Sequence, residues 1–268
     1  MTKLDILNKI ELPIFKSYNL SERISFLFKF KEKKLISKNI VLKDSCKNDG
    51  CFVIGNGPSL KGIDLSLIKD YDTFTTNFFH KSENNFVSTY HVMVDGGFYN
   101  QHFDYTLNAY KDITNKTNTK FIFKTYAYDK LKNENVNLDN AYFIHTKLMQ
   151  YNKFLKLDMC EDMTACVNVV LAAIQCAIYM GYKKIYLIGC DFNQYASMKP
   201  THFYAKEAKE RTVPMGVDLR WSSMAHFHHY ALSNYAREND IEILNATEGS
   251  LIDAYERVKF DDIIEGEV

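Results

Sequence analysis

The 268-residue chain lacks several features that would place it quickly. It has no net charge, with 33 basic and 33 acidic residues, so no general polyanion-binding surface is indicated and nucleic acid is not expected as a partner. No apolar run approaches the roughly 20 residues needed to span a bilayer. Residues 1–9 mix charged and apolar side chains and do not read as a secretory leader. No C-x-x-C spacing occurs among Cys46, Cys51, Cys160, Cys166, Cys176 and Cys190, which are expected to be buried, reduced thiols in a cytoplasmic protein. Neither G-x-G-x-x-G nor G-x-x-x-x-G-K-S/T is present, which removes the dinucleotide fingerprint and the P-loop.

What is present is ample apolar material, 46% of residues, enough for a sizeable α/β core. Nineteen Phe and 18 Tyr supply flat faces and hydroxyls that suit a sugar or nucleotide, although core packing accounts for most such residues. The chain is organised around residues 51–61, Cys-Phe-Val-Ile-Gly-Asn-Gly-Pro-Ser-Leu-Lys. Phe52, Val53 and Ile54 read as a buried strand. Gly55, Asn56 and Gly57 then turn the backbone sharply, and Pro58 fits the first turn of a helix. A strand, glycine turn and helix start present N–H groups and a positive dipole end, which attract phosphate. A tight turn with no ligand is the other reading.

Strand-like and helix-like stretches alternate along the chain. Strands are expected near 51–54, 72–76, 90–94, 121–123, 142–144, 184–188 and 241–244, and helices over 60–69, 164–180, 222–237 and 251–258. That alternation predicts an α/β fold: a single Rossmann-like parallel sheet with helices on both faces and a small lid. Residues 1–49 form a helical extension, 50–258 the nucleotide-binding domain with the lid at about 193–225, and 259–268 a tail. Residues 21–34 are basic and amphipathic, and read either as a helix packed on the domain edge or as one lying on an anionic membrane surface. Asp70-Tyr71-Asp72 is formally a D-x-D, but it opens a strand instead of closing one and reads as a solvated turn. In parallel sheets ligands sit beyond the carboxyl ends of the strands. Four such ends carry polar or glycine-rich turns: Gly55 to Ser59, Asn77, Asp95 to Gly97, and Gly189 to Asn193.

Phe52-Val-Ile-Gly-Asn-Gly-Pro-Ser-Leu-Lys-Gly-Ile-Asp64, Asn77-Phe78-Phe79 and Met180-Gly-Tyr-Lys-Lys-Ile-Tyr-Leu-Ile-Gly-Cys-Asp-Phe192 resemble the small bacterial sialyltransferases over about residues 50–255. They also resemble a wider group from surface-polysaccharide clusters, similar to the archaeal hydroxymethylpterin pyrophosphokinase, which the segment Ile243 to Arg257 matches best. The resemblance implies a glycosyltransferase that moves a nonulosonic acid from a CMP-activated sugar to a glycan hydroxyl without metal, and a homo-oligomer. It assigns Gly55, Asn56, Gly57 and Ser59 to the nucleotide phosphate and ribose, Asn77 to the cytidine, and Asp191 and Phe192 to the pocket lining. The chain departs from the pattern at Asp95-Gly96-Gly97, at Thr164-Ala165 and at Asn193; Tyr195 and Tyr204 are placed to take over phosphate contacts.

Transfer from such a donor needs a base for the acceptor hydroxyl and stabilisation of the departing phosphate. Histidine suits the first task. His202, His226, His228 and His229 cluster in the lid region, with His226 the first candidate and His202 the second. Arg211 and Arg220 are candidates for holding a carboxylate. No cofactor is expected on this reading. The alternatives are a Mg²⁺-dependent, pyrophosphokinase-like enzyme using ATP, with Asp95 and Asp191 as metal ligands, and a non-catalytic nucleotide- or glycan-binding module. Peripheral contact with the inner face of a membrane through 21–34 belongs to the same set of expectations.

Overall fold

The computed structural model describes residues 3–81, 86–197, 202–204 and 213–268. The chain opens with α1 (Lys3–Leu27) and α2 (Phe30–Ile36), followed by a 3₁₀ turn, Ser37–Leu42. The sheet then begins: β1 (Gly50–Ile54), β2 (Asp72–Thr76), β3 (Tyr90–Met93), α3 (Phe103–Thr114), β4 (Lys120–Lys124), α4 (Tyr128–Asn133), β5 (Ala141–Leu148) and β6 (Asp162–Thr164). The second half contributes α5 (Val169–Tyr179), β7 (Lys184–Ile188), α6 (Met215–Glu238), β8 (Glu242–Asn245), β9 (Glu256–Arg257) and α7 (Phe260–Ile264).

Among the described residues the strands form one nine-stranded sheet in the order β6-β5-β4-β3-β2-β1-β7-β8-β9, with every pairing parallel. Alternation along the strands explains the two covered faces. Val53, Phe74, Val92, Ile122, Ile185 and Leu187 point to the α5 side, where Ala172, Ala173, Cys176 and Ala177 allow close approach. Phe52, Ile54, Tyr186 and Ile188 point the other way, onto Leu60, Ile68 and Ile263 of α7. Phe121, Phe123 and Phe143 meet Leu107 and Tyr110 of α3 and Leu131 of α4. The α/β class and the parallel sheet expected from the sequence are what the structure has.

Several elements differ from expectation. Residues 60–69 are two 3₁₀ turns, Pro58–Gly62 and Leu65–Ile68, because Asp64 accepts from the Ser66 N–H and breaks the run. The long apolar helix starts at Val169, capped by Asn168 onto the Leu171 N–H; Thr164 instead closes the short edge strand β6. Residues 251–258 are an irregular, bent segment that contains β9. Asn245 donates to Ser250 Oγ and the Ile252 carbonyl, and Ser250 donates to the Cys190 carbonyl, so side chains hold that backbone away from a helix. The expected lid is divided. Residues 215–225 are the first turns of α6, 193–197 form a loop, and 198–201 and 205–212, with Arg211, lie outside the described residues.

All six cysteines are free. Asp72 accepts from the Tyr182 hydroxyl at 2.7 Å at the start of β2, so the D-x-D serves the strand's entry, at the end of the sheet opposite the strand C-termini. No helix among the described residues is long and apolar enough to cross a membrane.

Candidate active site

The chain builds β1 to β6 outward on one side, then returns through α5 to lay β7 beside β1 on the other. The β1–β7 junction is therefore the point where the winding reverses, and the elements that follow the two strands pack on opposite faces of the sheet. The glycine turn after Ile54 and the Gly189–Cys190–Asp191 turn after Ile188 meet there.

They meet closely. The Gly55 N–H donates to the Ile188 carbonyl at 2.9 Å and the Gly57 N–H to the Gly189 carbonyl at 2.8 Å. Asp191 completes the junction, accepting from the Ser59 N–H at 3.1 Å and the Ser59 hydroxyl at 2.6 Å. A Cβ at Gly55 would collide with the Gly189 carbonyl, and one at Gly57 with the Asp191 carboxylate. Both glycines are thus demanded by the approach of the β7 turn. The N–H groups of Gly55, Gly57 and Ser59 are thus engaged inside the fold, and the expected helix start is a short 3₁₀ turn.

The asparagines on the same rim behave differently. Asn56 donates to the Thr76 carbonyl at 2.9 Å, tying the β1 and β2 ends together. Asn77 adopts a positive φ of 48° and its N–H donates to the Val92 carbonyl. The side-chain oxygens of Asn56 and Asn77 are both buried without a hydrogen-bond partner. Unpartnered buried acceptors are costly, and two of them on adjacent strand ends match a ligand rich in N–H and O–H donors. Residues 202–204 lie against them: the Phe203 N–H donates to the Asn56 carbonyl, and the Tyr204 ring stands 6.3 Å from Phe78.

At the end of β7, Phe192 has φ +52° and places its ring 5.0 Å from His226 and 5.9 Å from Tyr195. The Tyr195 hydroxyl is 3.3 Å from His226 Nε2, and Asp253 Oδ1 is 3.9 Å from His226 Nδ1. Burial lowers the His226 pKa from its ordinary value and so favours the neutral ring, while the Asp253 carboxylate partly counters that shift. His228 and His229 are core residues: His228 contacts Gln175 at 3.0 Å and His229 contacts Tyr255 at 2.9 Å. Burial pushes His228 down to about 4. His202 stacks on Tyr204 and hydrogen-bonds the Asn56 backbone; burial lowers it too.

The structure therefore brings Asn56, Asn77, Asp191, Phe192, Tyr195, His202, Tyr204 and His226 to one end of the sheet. Asn193 accepts from the Ala196 N–H in the same loop. Asp95 and Gly96 lie one strand further out, where Asp95 accepts from the Gly97 N–H at 2.8 Å. Thr164 is at the far edge, fully buried, with its hydroxyl accepting from the Lys156 N–H. Arg220 is exposed on α6. Sequence reasoning missed Asp253, which lies in a stretch read as helix and stands beside His226. Two hollows in the described surface are formed by other residues. One of about 830 Å³ lies beside Leu60 and Ile63, and one of about 430 Å³ lies at the opposite, N-terminal ends of β7 and β8.

An open, all-parallel sheet with one reversal of winding defines a Rossmann-like α/β architecture. Residues 24–196 match the family described as 6-hydroxymethylpterin diphosphokinase MptE-like, and the chain belongs to that family. No curated protein matches it. Among solved structures it is similar to the sialyltransferase CstII from Campylobacter jejuni bound to CMP-3FNeuAc. There the identity is 18%, with 79% of this chain and 86% of that one covered and a TM-score of 0.46. The same enzyme with cytidine-5'-monophosphate gives 21%, 78%, 84% and 0.47, and sialyltransferase CST-II with a trisaccharide acceptor and CMP gives 19%, 78%, 85% and 0.47.

Proposed function

We propose that this protein is a sialyltransferase-like glycosyltransferase of surface-polysaccharide synthesis that moves a nonulosonic acid from a CMP-activated donor to a glycan hydroxyl. The observation that carries the reading is the pair of buried, unpartnered acceptors on Asn56 and Asn77, on the same rim as the half-buried His226. Nucleoside amino and hydroxyl groups supply the donors those oxygens lack. In the reaction the bond between the sugar's anomeric carbon and the phosphate oxygen breaks. A bond forms from that carbon to the acceptor oxygen, and the acceptor proton passes to His226 Nε2. The acceptor hydroxyl takes the place that the Tyr195 hydroxyl holds beside Nε2, and Asp253 favours the tautomer with its proton on Nδ1. The phenol of Tyr195, once displaced, is available to the departing phosphate.

The family description favours a second reading, Mg²⁺-dependent diphosphate transfer from ATP. Asp191 suits it poorly, because both of its oxygens already accept from Ser59. Calorimetry separates the two. Micromolar CMP binding in excess chelator supports glycosyl transfer; a requirement for Mg²⁺ with preference for ATP supports the kinase. Absence of any turnover with either donor class, despite CMP binding, leaves a nucleotide-binding module.

A further inference from the structure

The first 43 residues carry ten basic and four acidic side chains, so this segment is strongly positive in a chain whose net charge is zero. Its longest element, α1, is fixed in rotation about its own axis. Asn19 hydrogen-bonds the Met149 backbone in both directions, at 2.9 and 2.7 Å, as a neighbouring strand would. Phe26 stacks on His145 with ring centroids 5.0 Å apart, and Lys29 Nζ lies 3.5 Å from the same imidazole. These contacts turn one face of α1 onto the end of β5.

The opposite face is open and rich in large apolar side chains. Ile10, Ile14, Leu20, Ile24 and Leu27 are each between 51% and 61% exposed, and Phe28 and Phe30 beyond the helix end are more exposed still. At 3.6 residues per turn the five helical positions fall within an arc of about 140°, which they share with Pro13 and the small side chains of Ser17 and Ser21. Lys9, Lys16 and Arg23, spaced by seven, run along one margin of that arc. A stripe of large apolar side chains with a cationic margin, locked facing outward, fits a surface that is greasy below and negative above.

We propose that the outward face of α1 docks this protein on an anionic membrane surface, with Ile10, Ile14, Leu20, Ile24 and Leu27 entering the headgroup boundary and Lys9, Lys16 and Arg23 meeting lipid phosphates. The sequence suggested residues 21–34 for such a role. The structure moves the contact toward the N-terminus, because Phe26 and Lys29 face the sheet. The docking does not depend on which reaction the protein performs.

The test is flotation of the full-length chain with phosphatidylcholine vesicles, with or without about 30 mol% phosphatidylglycerol. The variants are a triple Ile10→Glu, Ile14→Glu, Ile24→Glu and a double Lys16→Glu, Arg23→Glu, all at exposed positions, with circular dichroism confirming retained structure. Wild type is expected to float with the anionic vesicles and not the neutral ones, and to be released as salt rises from about 0.1 to about 0.5 M. Each variant is expected to bind at least tenfold more weakly. Wild type that ignores anionic vesicles, or variants that bind as wild type does, overturn the proposal. So does a dimer in analytical sedimentation that the triple variant converts to monomer, since the stripe then serves a second copy of this chain.

Discussion

His226 is held between the Phe192 ring, the Tyr195 hydroxyl and the Asp253 carboxylate. A base must be neutral to accept a proton, and burial keeps the pKa of this imidazole below its ordinary value. Turnover should therefore be flat near pH 7 and fall only as pH drops below the usual histidine range. His226→Ala should cost about 10²–10⁴-fold in kcat while leaving CMP affinity within a few-fold, read from steady-state kinetics and calorimetry. Asp162 gives a second prediction at this scale. Burial lifts its carboxyl to about 6, and one of its oxygens is buried without a partner. Its folded pKa lies above the unfolded one, so its contribution to stability is fully present at low pH and is lost as pH rises through about 6. Asp162→Asn should raise stability at pH 8 by about 1–2 kcal/mol and change little at pH 4, in urea melts at the two values.

Among the elements, the meeting of the β1 and β7 turns matters most. Two N–H groups of one turn donate to carbonyls of the other, and Asp191 draws in Ser59. Gly57→Ala places a methyl group against the Asp191 carboxylate. It should destabilise by about 2–3 kcal/mol in chemical denaturation, with nucleotide binding weakened at temperatures where the fold survives. Much of this element was readable in advance. Apolar triplets ended by glycine mark β1 and β7, and residues that turn at strand ends mark the rim. What those glycines do was not readable, because a turn that cradles a ligand and one that receives a neighbouring turn require the same residue type. Helix and strand went astray where polar side chains bond to nearby backbone, as at Asn168, Asn245 and Ser250. Apolar periodicity carries no trace of those bonds. Asp253 escaped notice for the same reason, since its stretch was expected to be helical.

For the molecule as a whole, parallel topology with one reversal of winding collects the candidate groups at one end of the sheet. The alternation of strands and helices revealed that class from the sequence, whereas the position of residues 30–46 depended on contacts far away in the chain. Ile36 and Leu42 are buried, and Asn39 donates to the Phe143 and Met159 carbonyls, both at 2.7 Å. That stretch belongs to the core, while the outward face of α1 does not. Asn39→Ala leaves two buried carbonyls without this donor and should cost about 2–4 kcal/mol by thermal or chemical unfolding.

The central claim is transfer from a CMP-sugar with a protein base and no divalent cation. The most direct measurement is the rate of CMP release from CMP-sialic acid in excess EDTA, for wild type and His226→Ala side by side. The account predicts release by wild type under chelation, slowed at least about 100-fold in the variant. Release that appears only when Mg²⁺ is restored, or that proceeds equally in both proteins, would contradict it.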